Sequence, residues 1–162
     1  MNIFYLARDP KTCAAMLCDK HVVKMILETA QLLSTAHSEL GSWKRGMYQP
    51  THKNHPCAIW ARTSGQNYQW LLEYGQWLLS EYNHRYGKHH KTSEPMWLLQ
   101  RLPKDIPIIG FSSPPKCMPD EYKFGNTIWA YRKYYFYGKK HIDKRWTNRK
   151  PPEWHNEDYF NR

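Results

Sequence analysis

The stretch DKHVVKMILETAQLLSTA, residues 19–36, decides the fold. Val22, Val23, Ile26, Thr29, Ala30, Leu33 and Ala36 recur at the spacing of one face of an α-helix. Successive helical residues turn by about 100°. His21, Lys24, Glu28, Gln31 and Thr35 therefore form a second, polar stripe opposite most of the apolar one. Lys24 one turn before Glu28 is an ordinary surface ion pair if the stripe faces open water, where such pairs add little stability. If the stripe lines a groove, Glu28 becomes an acid/base group, and His21 and Lys24 become phosphate or substrate contacts.

Outward from this helix the chain stays helical. Asp9-Pro10 reads as an N-cap and a first helical position. The helical pattern runs from about Lys11 to Leu40, with a re-start at Asp19, and Gly41 stops it. Met1–Leu6 reads as a docked extended segment. Residues 41–55 form a polar loop long enough to be functional. Pro56 opens another helix, bent near Thr63-Ser64-Gly65. Its continuation to Tyr86 lines up Trp70, Leu71, Tyr74, Trp77, Leu78 and Tyr82, and Gly87 is the natural stop. A short helix over Ser93–Leu102, a Pro-rich loop over Pro103–Pro119 and a last helix over Asp120–Tyr137 ending at Gly138 complete the pattern. No strand pattern or internal repeat stands out. The expectation is an all-α, single compact domain of three to four main helices with long loops. Residues 1–140 form its body, and the tail 141–162 packs on its surface.

Composition bounds the function. The 162 residues carry 24 Lys and Arg against 14 Asp and Glu, a net charge of +10, and fit one domain. Aliphatics are scarce, but eight Trp and 12 Tyr supply large apolar area, each with a polar handle. No apolar run approaches the roughly 18 residues of a membrane-spanning helix, and the N-terminus lacks a signal-peptide pattern. Residues 1–82 carry a net +2 and residues 83–162 a net +8. Segment 123–150 interleaves nine basic residues and a single acid, Asp143, with eight aromatic rings. That mixture suits a phosphate backbone beside unstacked bases. It also suits an aromatic core helix with a Lys-rich solvated face. The partner expected from it is nucleic acid, with no membrane.

Other constellations are weaker. Cys13, Cys18 and His21 form C-x4-C-x2-H, and Cys57, Cys117, His52 or His55 are available to complete a zinc site. On one helix Cys13 and Cys18 point about 140° apart, and no C-x-x-C pair occurs. Buried reduced thiols and no metal are expected. His52-Lys53-Asn54-His55 suits an acid/base group or a phosphate contact as well as a solvated loop. The absence of a Gly-rich phosphate loop and of G-x-S-x-G argues against a nucleotide kinase or an α/β-hydrolase.

The run Asp19-Lys20-His21-Val22-Val23-Lys24-Met25-Ile26-Leu27-Glu28 resembles the first helix of the phage pyrimidine-dimer DNA glycosylases of the endonuclease V type, in which a His precedes the catalytic Glu by seven residues. Asn54-His55 is similar to the pair that opens that family's second long helix. Trp129-Ala130-Tyr131-Arg132-Lys133-Tyr134-Tyr135-Phe136-Tyr137-Gly138 resembles its aromatic-basic C-terminal segment. The resemblance implies a DNA N-glycosylase, with abasic-site lyase activity, whose N-terminal amine attacks the deoxyribose C1′ while Glu28 moves the proton. It implies no cofactor and no obligate protein partner, and the cytoplasm of a bacterial host cell as the setting. An α-amine near pKa 7.7–8.0 suits this chemistry better than a Lys near 10.4.

The expected catalytic residues are Glu28, Met1, Asn2 and His21. Residue 2 is Asn where the family has Thr, and its bulk is expected to keep Met1 in place as the amine. Lys24, Gln31, His55, Tyr131, Arg132, Lys133, Tyr135, Lys139 and Lys140 are expected to bind duplex DNA. Leu27 and Gln31 stand where the family has two substrate-contacting arginines, which opens the expected substrate to other damaged or modified bases. The alternatives are a non-catalytic nucleic-acid-binding protein of the same fold and an enzyme acting at the N-glycosidic bond of a free nucleotide.

Overall fold

The structure, a computed structural model, describes residues 2–162. Asp9 accepts the Thr12 N–H at 2.8 Å and, with Pro10 behind it, opens α1 (Pro10–Met16). The chain then extends through Leu17 and Cys18 before α2 (Asp19–Glu39). The break is held by tertiary partners. Cys18 N–H donates to the Tyr135 hydroxyl at 3.0 Å, and Asp19 N–H donates to the Arg145 carbonyl at 2.8 Å. The re-start expected at Asp19 is thus a corner stitched by the far end of the chain.

Next come α3 (Pro56–Thr63), capped by His55, and α4 (Gly65–Tyr86), capped by Ser64 and closed by Gly87 in the left-handed region at φ 63°. α4 packs against α1, α2 and α3, and the core lies between them. At Gly75 a Cβ would sit 3.0 Å from Thr29 of α2 and 2.8 Å from the end of the Met96 side chain, so any larger residue there forces its neighbours at the α2–α4 crossing to shift. Ile3 to Ala7 are buried on this core without regular secondary structure, and the extended segment expected there turns into the left-handed region at Phe4, φ 51°. The fold is all-α: seven helices and no strand among the described residues. No helix is long and apolar enough to cross a membrane.

The C-terminal third differs from the sequence reading. α5 (Ser93–Leu98) stops four residues early. The single helix expected over Asp120–Tyr137 is a 3-10 turn (Asp120–Tyr122), then α6 (Thr127–Lys133), then a π-helical turn (Tyr134–Gly138). Gly125 at φ 71° breaks the run, and Asn126 restarts it by accepting the Trp129 N–H at 2.9 Å. Beyond it, Trp154 is buried against the Tyr135 ring, and Trp146 donates to the Met16 carbonyl at 3.0 Å. A short α7 (Glu157–Phe160) ends the chain's regular structure.

Candidate active site

The polar stripe of α2 is closed at both ends and open in the middle. At its start His21 is buried beneath the Phe4 ring, centroids 4.7 Å apart, and against Tyr135. At its end Thr35 is buried, exchanging hydrogen bonds with the backbone of Thr51 in the 41–55 loop. Between these lids lie Lys24, Glu28 and Gln31. The Lys24 side chain is 66% exposed and that of Glu28 17%, with 3.6 Å between Nζ and Oε1. A pair this open contributes at most about 1 kcal/mol. The carboxylate is therefore shielded on most sides yet reachable from one.

The N-terminal segment forms part of that shield. The Tyr74 hydroxyl donates to the Ile3 carbonyl at 3.0 Å, and the Asn2 amide donates to the Cys117 carbonyl at 2.6 Å. Asn2 Oδ1 is buried with no partner among the described residues. Phe4 sits at φ 51°, a strained position for a non-glycine residue that packing on His21 and Tyr135 holds in place. Glu28 is close enough to be felt by two groups around this segment. Burial raises the Tyr74 hydroxyl well above its ordinary pKa, and the Glu28 charge adds to this. Burial lowers the His55 imidazole, and Glu28 opposes that shift. Tyr74 thus anchors the start of the chain, and both it and His55 lie within electrostatic reach of Glu28. The expected nucleophile Met1 lies outside the described residues.

Several expected contacts have other duties. Burial, with Lys139 and Lys24 nearby, lowers His21 to about pKa 4, so it is neutral at physiological pH. Its Nδ1 meets the Tyr135 hydroxyl at 2.6 Å. It holds the start of α2 and cannot serve there as a phosphate-binding cation. Tyr131 and Tyr135, expected beside the bases, are fully buried; Tyr131 donates to the Pro115 carbonyl and accepts from Cys117 N–H. Arg132 is spent on the Leu6 carbonyl and the Tyr159 hydroxyl, both at 2.9 Å, and lies over the Trp154 ring. The physical reason is shared: the aromatic-basic segment is a wall of the core, where Tyr131 and Arg132 satisfy buried carbonyls and Tyr135 engages His21 and Cys18. Lys140 is exposed and Lys133 and Lys139 are partly so, although Lys139 leans over Tyr134. Gln31 stays partly exposed on the stripe. His55 is half-buried, and its Nδ1 accepts the Cys57 N–H at 3.1 Å.

The fold also groups residues that the sequence reading left apart. Cys13 and Cys18 diverge, Cys13 toward the Phe4 carbonyl and Cys18 toward Tyr135. Cys57 and Cys117 meet instead, with Sγ atoms 3.6 Å apart. The contact between them, together with burial, pushes the Cys57 thiol up, and the same contact pushes the Cys117 thiol down. Arg85, read from sequence only as part of a helix end, is buried in α4 and bonded to Glu81, Asp19 and the carbonyls of Ala15 and Leu17. No spacing in the sequence signals either grouping.

Comparison with known proteins matches one family, described as pyrimidine dimer DNA glycosylase, over residues 1–94. No curated protein and no solved structure matches the chain. The matched residues contain the N-terminal segment, α1 to α4, Lys24, Glu28, Gln31 and His55, and exclude the aromatic-basic segment. By this match over more than half of its length, the chain belongs to the pyrimidine dimer DNA glycosylase family.

Proposed function

We propose that this protein excises a damaged or modified pyrimidine from duplex DNA and then nicks the strand, using its N-terminal amine as nucleophile and Glu28 as the proton carrier. The observation that carries the reading is the placement of Glu28: partly shielded on the α2 stripe, within electrostatic reach of His55 and Tyr74, on the side where Tyr74 holds Ile3.

The chemistry follows from those groups. A neutral α-amine, a sizeable fraction near pH 7.5 given a pKa of about 7.7–8.0, attacks the deoxyribose C1′. The C1′–N bond breaks, and the base leaves with the electron pair and takes up a proton. The C1′–O4′ bond then opens as the nitrogen lone pair forms the C1′ imine, with Glu28 delivering a proton to O4′, and the imine acidifies C2′–H. Glu28 removes the C2′ proton, and the C3′–O bond breaks by β-elimination, leaving a 5′-phosphate end on the departing strand. The negative carboxylate also stabilises the iminium cation across a partly desolvated gap. Lys133, Lys139 and Lys140, with Lys24 beside its partner Glu28, are the cations offered to backbone phosphates. Leu27 and Gln31, neither of them cationic, leave the base specificity wider than a pyrimidine dimer.

Borohydride trapping tests the reading. The protein is mixed with duplex DNA carrying a cyclobutane dimer or an abasic site, borohydride is added, and intact mass locates any adduct. An adduct on the N-terminal peptide is expected. Tight, salt-sensitive binding with no adduct on either DNA overturns the imine mechanism.

A further inference from the structure

We propose that His55, Cys57 and Cys117 form a binding site for a zinc ion, beside the anchored start of the chain. One ligand atom from each lies within 4.8 Å of the others, although Cys117 is 60 residues from Cys57 in sequence. Two thiolates at about 2.3 Å from a tetrahedral zinc are roughly 3.8 Å apart. The observed Sγ–Sγ distance is 3.6 Å, so the sulfurs need almost no movement. A disulfide, by contrast, requires about 2.05 Å. The imidazole nitrogen has to close to about 3.6 Å from each sulfur, a side-chain rotation at a half-buried residue.

The donor set is soft sulfur and imidazole, which selects zinc over calcium or magnesium. Three protein ligands leave a fourth position for water. Asn2 lies next to this cluster: its amide donates to the Cys117 carbonyl at 2.6 Å, and its Oδ1 is buried with no partner among the described residues. Ligation has a definite local consequence. The lone pair of the neutral His55 ring now accepts the Cys57 N–H as the cap of α3, and the metal would redirect it. The site would then tie the start of α3 to the segment around Cys117, the wall on which Asn2 rests. This proposal does not depend on the glycosylase reading, and its test does not use catalysis.

Cobalt(II) is the probe for the reduced, metal-free protein. Expected are one equivalent bound per chain, thiolate-to-cobalt charge-transfer absorption, tetrahedral visible bands and displacement by zinc. Cys117→Ser should remove the charge-transfer intensity or at least halve it, and His55→Ala should weaken binding about tenfold or more. His89→Ala, an exposed control, should change nothing. Cys57 is fully buried, so the wild-type chain carries a second measurement that needs no variant. Zinc should protect the partly exposed Cys117 of the folded protein from alkylation. Absence of charge transfer, its full survival in Cys117→Ser, or an unchanged rate of Cys117 alkylation with zinc overturns the site.

Discussion

The Tyr135 hydroxyl lies 2.6 Å from His21 Nδ1, joining the π-helical turn to the first turn of α2 across 114 residues of sequence. The same oxygen accepts the Cys18 N–H, so one hydroxyl fixes the corner between α1 and α2. The stripe that carries Glu28 begins at that corner. A segment beyond the family match therefore sets where the matched helix starts.

Tyr135→Phe removes that oxygen and keeps the ring. It leaves His21 Nδ1 and Cys18 N–H short of a buried partner, although the Cys18 thiol lies 3.5 Å from the imidazole. Unsatisfied buried groups cost about 1–3 kcal/mol each. A loss of about 2–4 kcal/mol in denaturant unfolding is expected, with the far-ultraviolet helix signal retained. A change below about 0.5 kcal/mol would show that the hydroxyl does not hold the corner.

His21 also makes stability depend on pH. It takes its proton near pH 6.5 in the unfolded chain and only at about 4 in the folded one. Between those values the unfolded state binds more protons, so stability is full above pH 6.5 and falls as pH drops toward 4. The whole window amounts to about 3 kcal/mol, and about 2 kcal/mol of it is spent by pH 5. His37, His55, His90 and His155 are lowered by burial as well and act in the same direction. The melting temperature should fall by at least about 4 °C between pH 7.5 and pH 5, and His21→Gln should flatten part of that slope. A flat profile in the parent protein would contradict the buried, neutral His21.

The helical frame was legible because it is written in local spacing. Asp9-Pro10, the α2 periodicity and Gly87 each act within a few residues, and the elements lie where those signals put them. The candidate site was legible in part: the stripe Lys24–Glu28–Gln31 is a property of one helix. Most of the failures are long-range. Interleaved aromatics and cations in segment 123–150 fit a DNA surface and a core wall equally well, and only the fold shows Tyr131 and Tyr135 inside. Asn126 and Gly125 were short-range signals that the run of helix formers after them masked. The meeting of Cys57 with Cys117 depends on how the Pro103–Pro119 loop returns to α3, which no sequence period encodes.

Arg85 is the second lock on the corner. Its side chain is fully buried, with Glu81 Oε2 at 2.9 Å, Asp19 Oδ1 at 3.0 Å and two carbonyls within 3.1 Å. Removing one partner of a buried charged network leaves the other charges uncompensated and costs about 3–5 kcal/mol. Arg85→Met should destabilise by that amount. Arg85→Lys should recover only part of it, since an ammonium cannot reach four acceptors held in a fork. A lysine variant as stable as the parent would show that charge alone, and not geometry, is needed.

In the aromatic-basic segment Lys140 is exposed and Lys133 partly so, whereas Arg132 is already committed. If both contact duplex phosphates, the slope of log binding constant against log salt should fall by about 0.9 for each cation removed. A titration of the double variant Lys133→Ala, Lys140→Ala should therefore lose about 1.8 from the slope. Unchanged slope and affinity would move the footprint away from this segment, toward Lys24 and the open middle of α2.

Glu28→Gln separates chemistry from binding. The amide keeps the size of the side chain and one acceptor oxygen, but it neither takes up the C2′ proton nor stabilises the iminium. Its ion pair with Lys24 is exposed on the lysine side, so stability should change by less than about 1 kcal/mol. Losing one negative charge beside DNA should leave affinity equal or slightly tighter. Strand nicking at an abasic site should fall by about two to four orders of magnitude, the usual span of general acid–base catalysis. The borohydride adduct should diminish less than the nick, because imine formation precedes the proton transfer assigned to Glu28. Nicking at the parental rate would remove Glu28 from the mechanism. Loss of both adduct and DNA binding would instead mean that the carboxylate shapes the groove rather than moving the proton.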